Sequence, residues 1–261
     1  MSSSQTQGEL WSEYASHWAD LQERFHAPLF ESMLNATIVG KNTKYLDIGC
    51  GSGLSSASAA NRGAKVTGID AASALIEIAK NREPSASFEV GDMENLPFDD
   101  ESFDVVFAAN AIQYASDRPK AMNELKRVCR NRGYITVGFF GEQETVDYRV
   151  VMKAVSSTLP EPPAGDGPFG LSSRERLEEL FASANLEIMT HERVNCPMTF
   201  PDVDTFWLAT RSGGPVVNVI QRVGEEKVKA AVRKASEPHM TVDGEVRFDQ
   251  NYFQYLVAKK A

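Results

Sequence analysis

The chain has few cysteines, fewer basic than acidic residues and no long apolar run, and each shortage closes a class of function. Three cysteines in 261 residues, at positions 50, 129 and 196, are too few and too scattered for a disulfide framework or a thiolate zinc site. They read as reduced thiols of the cytosolic type, and no metal is expected. Lysine and arginine number 27 against 36 acidic residues, a formal net charge of −9, so the long-range field repels phosphate backbones and argues against a nucleic-acid partner. No stretch is apolar for long enough to cross a bilayer. The start, MSSSQTQGELWSEYASHWADLQERF, turns from polar to amphipathic without the apolar centre of a secretory signal, and no internal repeat is visible. A soluble cytoplasmic protein is the expectation.

Two nucleotide signatures are missing as well. There is no G-x-x-x-x-G-K-[ST], and the stretch LDIGCGSG (46–53) departs from G-x-G-x-x-G because Leu stands at 54 and an acid, Asp47, precedes the glycines. A P-loop has no support, and a nicotinamide or flavin cofactor is disfavoured.

What is present is an ordinary globular composition, 42% hydrophobic and 24% charged, long enough for one large domain or one domain with a sizeable insertion. From 44 to 140, β-type runs at 44–48, 64–69, 87–90, 103–109 and 133–140 alternate with helical stretches at 54–62, 73–82 and 119–130. This rhythm predicts a parallel sheet with right-handed crossovers. Basic residues 126, 127, 130 and 132 are expected to complement the dipole at the end of the third helix. Beyond 140 the pattern predicts a helix over 143–158, a Pro- and Gly-rich loop over 159–170, and a helix over 172–186 capped by Ser172 or Ser173. A strand over 187–194, two helical stretches within 199–240 and one long strand over 247–260 follow, for seven strands in all. At the front, Trp11, Tyr14, Trp18, Leu21 and Phe25 recur every three or four residues, an apolar helical face that packs on the body of the fold, lids a cleft, or does both.

Glycines at 49, 51 and 53 directly follow the first strand, which requires either tight turning or something pressed against the backbone. In an open α/β sheet, ligands collect at that end of the strands. Asp70 ends the second strand, where a carboxylate can accept from the vicinal hydroxyls of a ribose. Asp92 ends the third, placed to accept from an exocyclic amine such as adenine N6, with Met93 offering a soft surface to the ring. Singly each acid is a common turn or cap residue; in register at successive strand ends they read as a nucleoside site.

With LDIGCGSG, VTGID, FEVGDMENLPFDDESFDVVFAANAIQY and ELKRVCRNRGYITV in place, residues from about 40 to 140 resemble the class I S-adenosylmethionine-dependent methyltransferases, particularly the ubiquinone and menaquinone biosynthesis type. The resemblance implies a Rossmann-like α/β fold with a seven-stranded, mostly parallel sheet in the order 3-2-1-4-5-7-6. Strand seven is antiparallel, and helices cover both faces with a helical cap. It implies a lid over 1–40, a core over 41–198 and 241–261, and a helical insert over 199–240. S-adenosylmethionine would then be bound by Asp47, Gly49, Cys50, Gly51, Gly53, Asp70, Ala71, Asp92, Met93, Ala109 and Asn110. Asp47 would lie near the methionyl amino group, Asp70 on the ribose, Asp92 and Met93 around the adenine, and Ala109 and Asn110 toward the sulfonium. After the fourth strand many relatives read L-H-H where this chain has Ile112, Gln113 and Tyr114, so no histidine acts there. The arsenic-methylating branch needs several cysteines near the cofactor, and only Cys50 is close.

The activity implied is in-line methyl transfer to a small, partly apolar acceptor, driven by alignment and exclusion of water. The acceptor pocket is expected from Tyr14, Trp18, Tyr114, Phe139, Phe140, Phe200, Phe206 and Trp207. If a proton must leave, the histidines at 17, 26, 191 and 239 are the first candidates, with His17 and Tyr14 on the lid foremost. Binding of S-adenosylmethionine without transfer, or a nicotinamide-dependent oxidoreductase with a degenerate fingerprint, remain the alternatives.

Overall fold

The computed structural model describes residues 3–161 and 167–260. Residues 162–166 of the expected loop lie outside the described residues. In chain order the elements are α1 (Ser3–Ser12), α2 (Ala15–His17), α3 (Ala27–Ala36), β1 (Lys44–Ile48), α4 (Leu54–Asn61), β2 (Lys65–Asp70), α5 (Ser73–Arg82), β3 (Ser87–Val90), β4 (Phe103–Ala109), α6 (Arg118–Val128), β5 (Cys129–Phe140), α7 (Arg149–Ser157) and α8 (Arg174–Ser183). They continue as β6 (Ile188–Asn195), β7 (Met198–Phe200), α9 (Val203–Arg211), α10 (Gly214–Val223), α11 (Glu225–Ser236), β8 (Val246–Phe248) and β9 (Tyr252–Lys259).

The main sheet has seven strands in the order β3-β2-β1-β4-β5-β9-β6. Strands β1 to β5 run parallel and β9 antiparallel to both β5 and β6, so the expected architecture is present. The strands are apolar on both faces because both are covered. One core joins Leu46, Val106, Ile135 and Leu256 to Met122 and Leu125 of α6 and Phe181 of α8. The other joins Tyr45, Phe107 and Val257 to Leu29, Met33 and Leu34 of α3.

Four expectations are corrected. The run 247–260 is two strands, not one, because the chain bends at Asp249–Asn251. There the Asn251 backbone N–H donates to Asn195 Oδ1, and its side-chain amide donates to the Cys196 carbonyl. The first piece, β8, leaves the main sheet and pairs with β7. Within 199–240 three helices form instead of two, since Gly224, at φ 87°, turns the chain between α10 and α11. Helix α6 stops at Val128, so Arg130 and Arg132 belong to β5: Arg130 pairs with Asp104 at 2.8 Å. Lys126 caps a different helix end, donating to the carbonyls of Ala184 and Asn185 after α8. Finally, the N-terminal aromatic stripe does not share one face. The helix breaks after Ser12, winds as a π-turn over Trp18–Gln22 and tightens to a 3-10 turn over Glu23–His26. Trp11 and Trp18 therefore pack beside Ala72 and Leu75, whereas Leu21 and Phe25 join a separate cluster around Phe200 and Phe206. The later helix begins as expected, with Ser173 accepting from the Arg176 N–H.

Candidate active site

A cleft opens at the carboxyl ends of β1, β2 and β4, roofed by the N-terminal segment and by the junction of α9 and α10. One wall is the loop after β1. Gly49 and Gly51 stand at φ 66° and 55°, a left-handed conformation that glycine adopts without strain. The protein itself fills the space a side chain would need. A Cβ at Gly49 would lie 2.5 Å from that of Ala111, and one at Gly51 would lie 3.0 Å from Glu23 Oε1. Both alternatives for the glycines hold, because the loop turns tightly and also lines the cleft; Gly53, where α4 begins, is not among the lining residues.

Three carboxylates converge on this loop. Asp70 accepts from the Gly51 N–H on Oδ2 at 2.9 Å and from the Ala72 N–H on Oδ1 at 2.8 Å, which fixes its plane at the cleft floor. Burial raises its pKa above the ordinary carboxylate value. Asp47 is 1% exposed and accepts at 2.6 Å from each of the Ser55 and Ser56 hydroxyls. Desolvation pushes it up to about 7, against the pull of those two hydroxyls. The third, Glu23, was not foreseen. It comes from the N-terminal segment, accepts from the Ser52 N–H and hydroxyl, and is paired with Arg82 at the end of α5. Arg82 also donates to Ser52 Oγ, so one buried network ties the lid to the glycine loop and to α5. Nothing in the sequence marks Glu23, which sits among other charges on a polar helical stretch.

Asp92, Met93, Ala71, Cys50, Ala109 and Asn110 all line the cleft. Asp92 Oδ1 accepts from the Glu94 N–H at 2.9 Å. The Cys50 thiol is buried and its pKa driven up, so it is inert packing and not a nucleophile. Asn110 has φ 52°, an uncommon value for a side-chain-bearing residue, and its Oδ1 is buried without a partner.

Of the residues expected around the acceptor, Trp18, Tyr114 and Phe140 line the cleft. Phe139, Phe200, Phe206 and Trp207 are corrected to core residues, each at most 2% exposed. Adjacent strand residues point to opposite faces, so Phe139 enters the core against α6 and α8 while Phe140 turns toward the cleft. Phe206 and Trp207 bury the inner face of α9 with Phe248 and leave the lining to Thr210 beyond them. Tyr14 and His17 stack on each other with ring centroids 6.1 Å apart and do not line the cleft; Arg211 lies over the Tyr14 ring. The residues that close the space instead are Gln22, His26, Phe30, Tyr148, Met152 and Val216.

Glu23, Asp47, Asp70, Asp92 and Glu94 line the cleft and, among the described residues, no lysine or arginine does. Such a wall favours a ligand carrying positive charge. S-adenosylmethionine, whose ammonium and ribose hydroxyls donate and whose sulfonium is positive, fits that set of acceptors. An acid fixed by backbone amides at the end of β2, beside a turn of positive-φ glycines, lies in the cleft at the carboxyl ends of the strands, where open α/β sheets bind their ligands.

The comparisons with known proteins narrow this further. A family described as a methyltransferase domain matches residues 46–137. The chain is 31% identical over 197 residues to an uncharacterized protein of Mycobacterium tuberculosis, covering 67% of this chain and 70% of that one. It is 38% identical over 90 residues to the malonyl-[acyl-carrier protein] O-methyltransferase of Serratia marcescens, covering 34% of this chain and 35% of that enzyme. A bifunctional biotin-biosynthesis protein of Cellvibrio japonicus is 35% identical over 116 residues, which are 44% of this chain and 23% of that one. The chain thus spans only about a quarter to a third of these last two. Among solved structures, the [4+2]-cyclase SpnF superposes with a TM-score of 0.61 at 22% identity, over 89% of this chain and 80% of its own. The chain belongs to the class I S-adenosylmethionine-dependent methyltransferase family.

Proposed function

We propose that this protein transfers a methyl group from S-adenosylmethionine to a small, partly apolar acceptor. The observation that carries the reading is Asp70, held by two backbone N–H groups at the end of β2 in a cleft lined by acids. The same carboxylate would accept from the ribose hydroxyls. Asp92 and Met93 would hold the adenine, and Asp47 with the Gly49 backbone the methionyl ammonium. Ala109 and Asn110 would face the methyl. When bound, the donor supplies an electrophilic methyl on a positively charged sulfur. The residues of this chain align the acceptor and exclude water, through Trp11, Trp18, Phe30, Tyr114, Phe140 and Met152.

We take α1 to α3 as the lid, and α7, α9, α10, α11 and the β7–β8 pair as the cap, since the latter share one apolar cluster. Both lie outside the 46–137 match, so the acceptors named for relatives do not carry over with it.

Titration calorimetry with S-adenosylhomocysteine tests the reading. Binding to the wild type is expected, weakened by about 100-fold in Asp70→Ala, since a charge-assisted pair of hydrogen bonds is lost. Undiminished binding by that variant refutes the role of Asp70. Formation of S-adenosylhomocysteine from S-adenosylmethionine with an acceptor panel then separates methyl transfer from mere binding.

A further inference from the structure

Resting on that reading, we infer that His26 is the general base of the reaction and that the atom methylated is the oxygen of a neutral hydroxyl, a phenol or an alcohol. His26 is 5% exposed and lies on the cleft wall. Its Nδ1 sits 3.2 Å from the backbone carbonyl oxygen of Glu23. A carbonyl only accepts, so Nδ1 carries the hydrogen and, in the neutral ring, Nε2 holds a free lone pair. Among the described residues Nε2 has no hydrogen-bond partner. The ring is clamped by Trp18, Phe30 and Phe253, at centroid distances of 5.6, 6.0 and 5.1 Å, which fixes its direction as a base needs.

The surroundings keep the ring neutral. Its ring neighbours on the π-turn, α3 and β9 are all apolar. In the chain the nearest charged groups are Arg24, whose guanidinium lies over the Phe25 ring, and Glu23, whose carboxylate is engaged by Ser52 and Arg82; Asp47, which also lines the cleft, is engaged by Ser55 and Ser56. Desolvation lowers the His26 pKa to about 4, outweighing its bond to the Glu23 carbonyl.

A neutral ring with its Nε2 lone pair free suits an acceptor whose proton becomes acidic only during the attack. An ammonium has no lone pair until it has lost a proton, so its proton must leave before the attack and not during it. A hydroxyl attacks while still protonated and turns strongly acidic only as the new bond forms. His26 Nε2 then takes the hydroxyl proton while the C–O bond forms and the S–C bond of the methyl donor breaks, its electron pair staying on sulfur. The products are a methyl ether, S-adenosylhomocysteine and an imidazolium that returns its proton to water when the cleft opens.

The test has two readouts. Nitrogen-15 NMR of the wild type with S-adenosylhomocysteine at pH 6 is expected to show His26 neutral with the proton on Nδ1; a proton on Nε2, or an imidazolium, overturns the assignment. In turnover with catechol and simple phenols, His26→Asn keeps a donor for the Glu23 carbonyl but lacks the Nε2 lone pair. It should lose about 100-fold in kcat, with S-adenosylhomocysteine affinity within about threefold of the wild type. Added imidazole should restore part of the rate to His26→Ala. An unchanged kcat in His26→Asn, or turnover confined to amines, overturns the proposal. A wild type that fails to bind S-adenosylhomocysteine sinks the methyltransferase reading instead.

Discussion

At the scale of single residues, Asp47 and His26 are displaced from their ordinary pKa values by the same cause, burial, and in opposite directions. Asp47 is raised to about 7, so between about pH 4 and 7 the folded state holds a proton that the unfolded chain has released, and stability falls as pH rises through that window. His26 is lowered to about 4, so between about pH 4 and 6.5 the unfolded chain holds the extra proton, and stability rises with pH. The two nearly cancel up to pH 6.5. Urea denaturation of the ligand-free protein across pH 4.5 to 7.5 should separate them. Relative to wild type, Asp47→Asn should gain stability more steeply with pH below 6.5, and His26→Asn should lose it as pH rises to about 7, the end of the Asp47 window. Identical slopes in the three proteins would show that neither group is displaced. Asp47 is also the group that a cofactor ammonium would meet, so S-adenosylhomocysteine affinity should rise from pH 6 to 8 in the wild type and less so in Asp47→Asn.

At the scale of elements, one side chain, Glu23, ties the N-terminal segment to the glycine loop and to α5. Glu23 has a side-chain exposure of 4% and its partner Arg82 one of 26%, so removing the acid strands a half-buried cation and the Ser52 donors. Glu23→Gln is expected to cost about 3 kcal/mol, and adding Arg82→Gln should recover part of it. Hydrogen exchange should quicken in residues 15–26 before it does in the sheet. Loss of stability with no change in exchange there would mean that the pair does not hold the segment down. The reason Glu23 faces inward is the π-turn of Trp18–Gln22, which resets the helical phase between Trp11 and Phe25. Without that turn the aromatic stripe would continue on one face. With it, Trp18 and His26 meet the cleft while Leu21 and Phe25 enter the cap cluster.

At the scale of the whole molecule, the cleft lies between a sheet that changes direction of connection at β1 and a roof assembled from the N-terminal segment and the α9–α10 junction. Two of the three tryptophans, Trp11 and Trp18, line it, with ring centroids 4.9 Å apart, while Trp207 is buried in the cap. Adding S-adenosylhomocysteine should therefore change the tryptophan emission, and the change should vanish in Trp11→Phe/Trp18→Phe. The same ligand at about 100 times its dissociation constant should stabilise the fold by about 2.7 kcal/mol, read as a rise in melting temperature. A fluorescence change that survives the double substitution would place the ligand elsewhere. Among the described residues no helix is long and apolar enough to cross a membrane.

The sequence by itself determined the parallel sheet and the wall of the cleft built from strand ends, while the strand order came with the family resemblance. Each of Gly49, Gly51, Asp70, Asp92 and Asn110 ends a strand or lies within three residues after one, and alternation of strand and helix fixes where such residues gather. Only the tertiary structure decided the other wall. Whether Phe139 or Phe140, His17 or His26, Trp207 or Thr210 faces the space depends on strand pleat, one π-turn and the bend at Asp249–Asn251. Those are set by packing between segments far apart in the chain, where local periodicity carries no information about which side of an element will be covered.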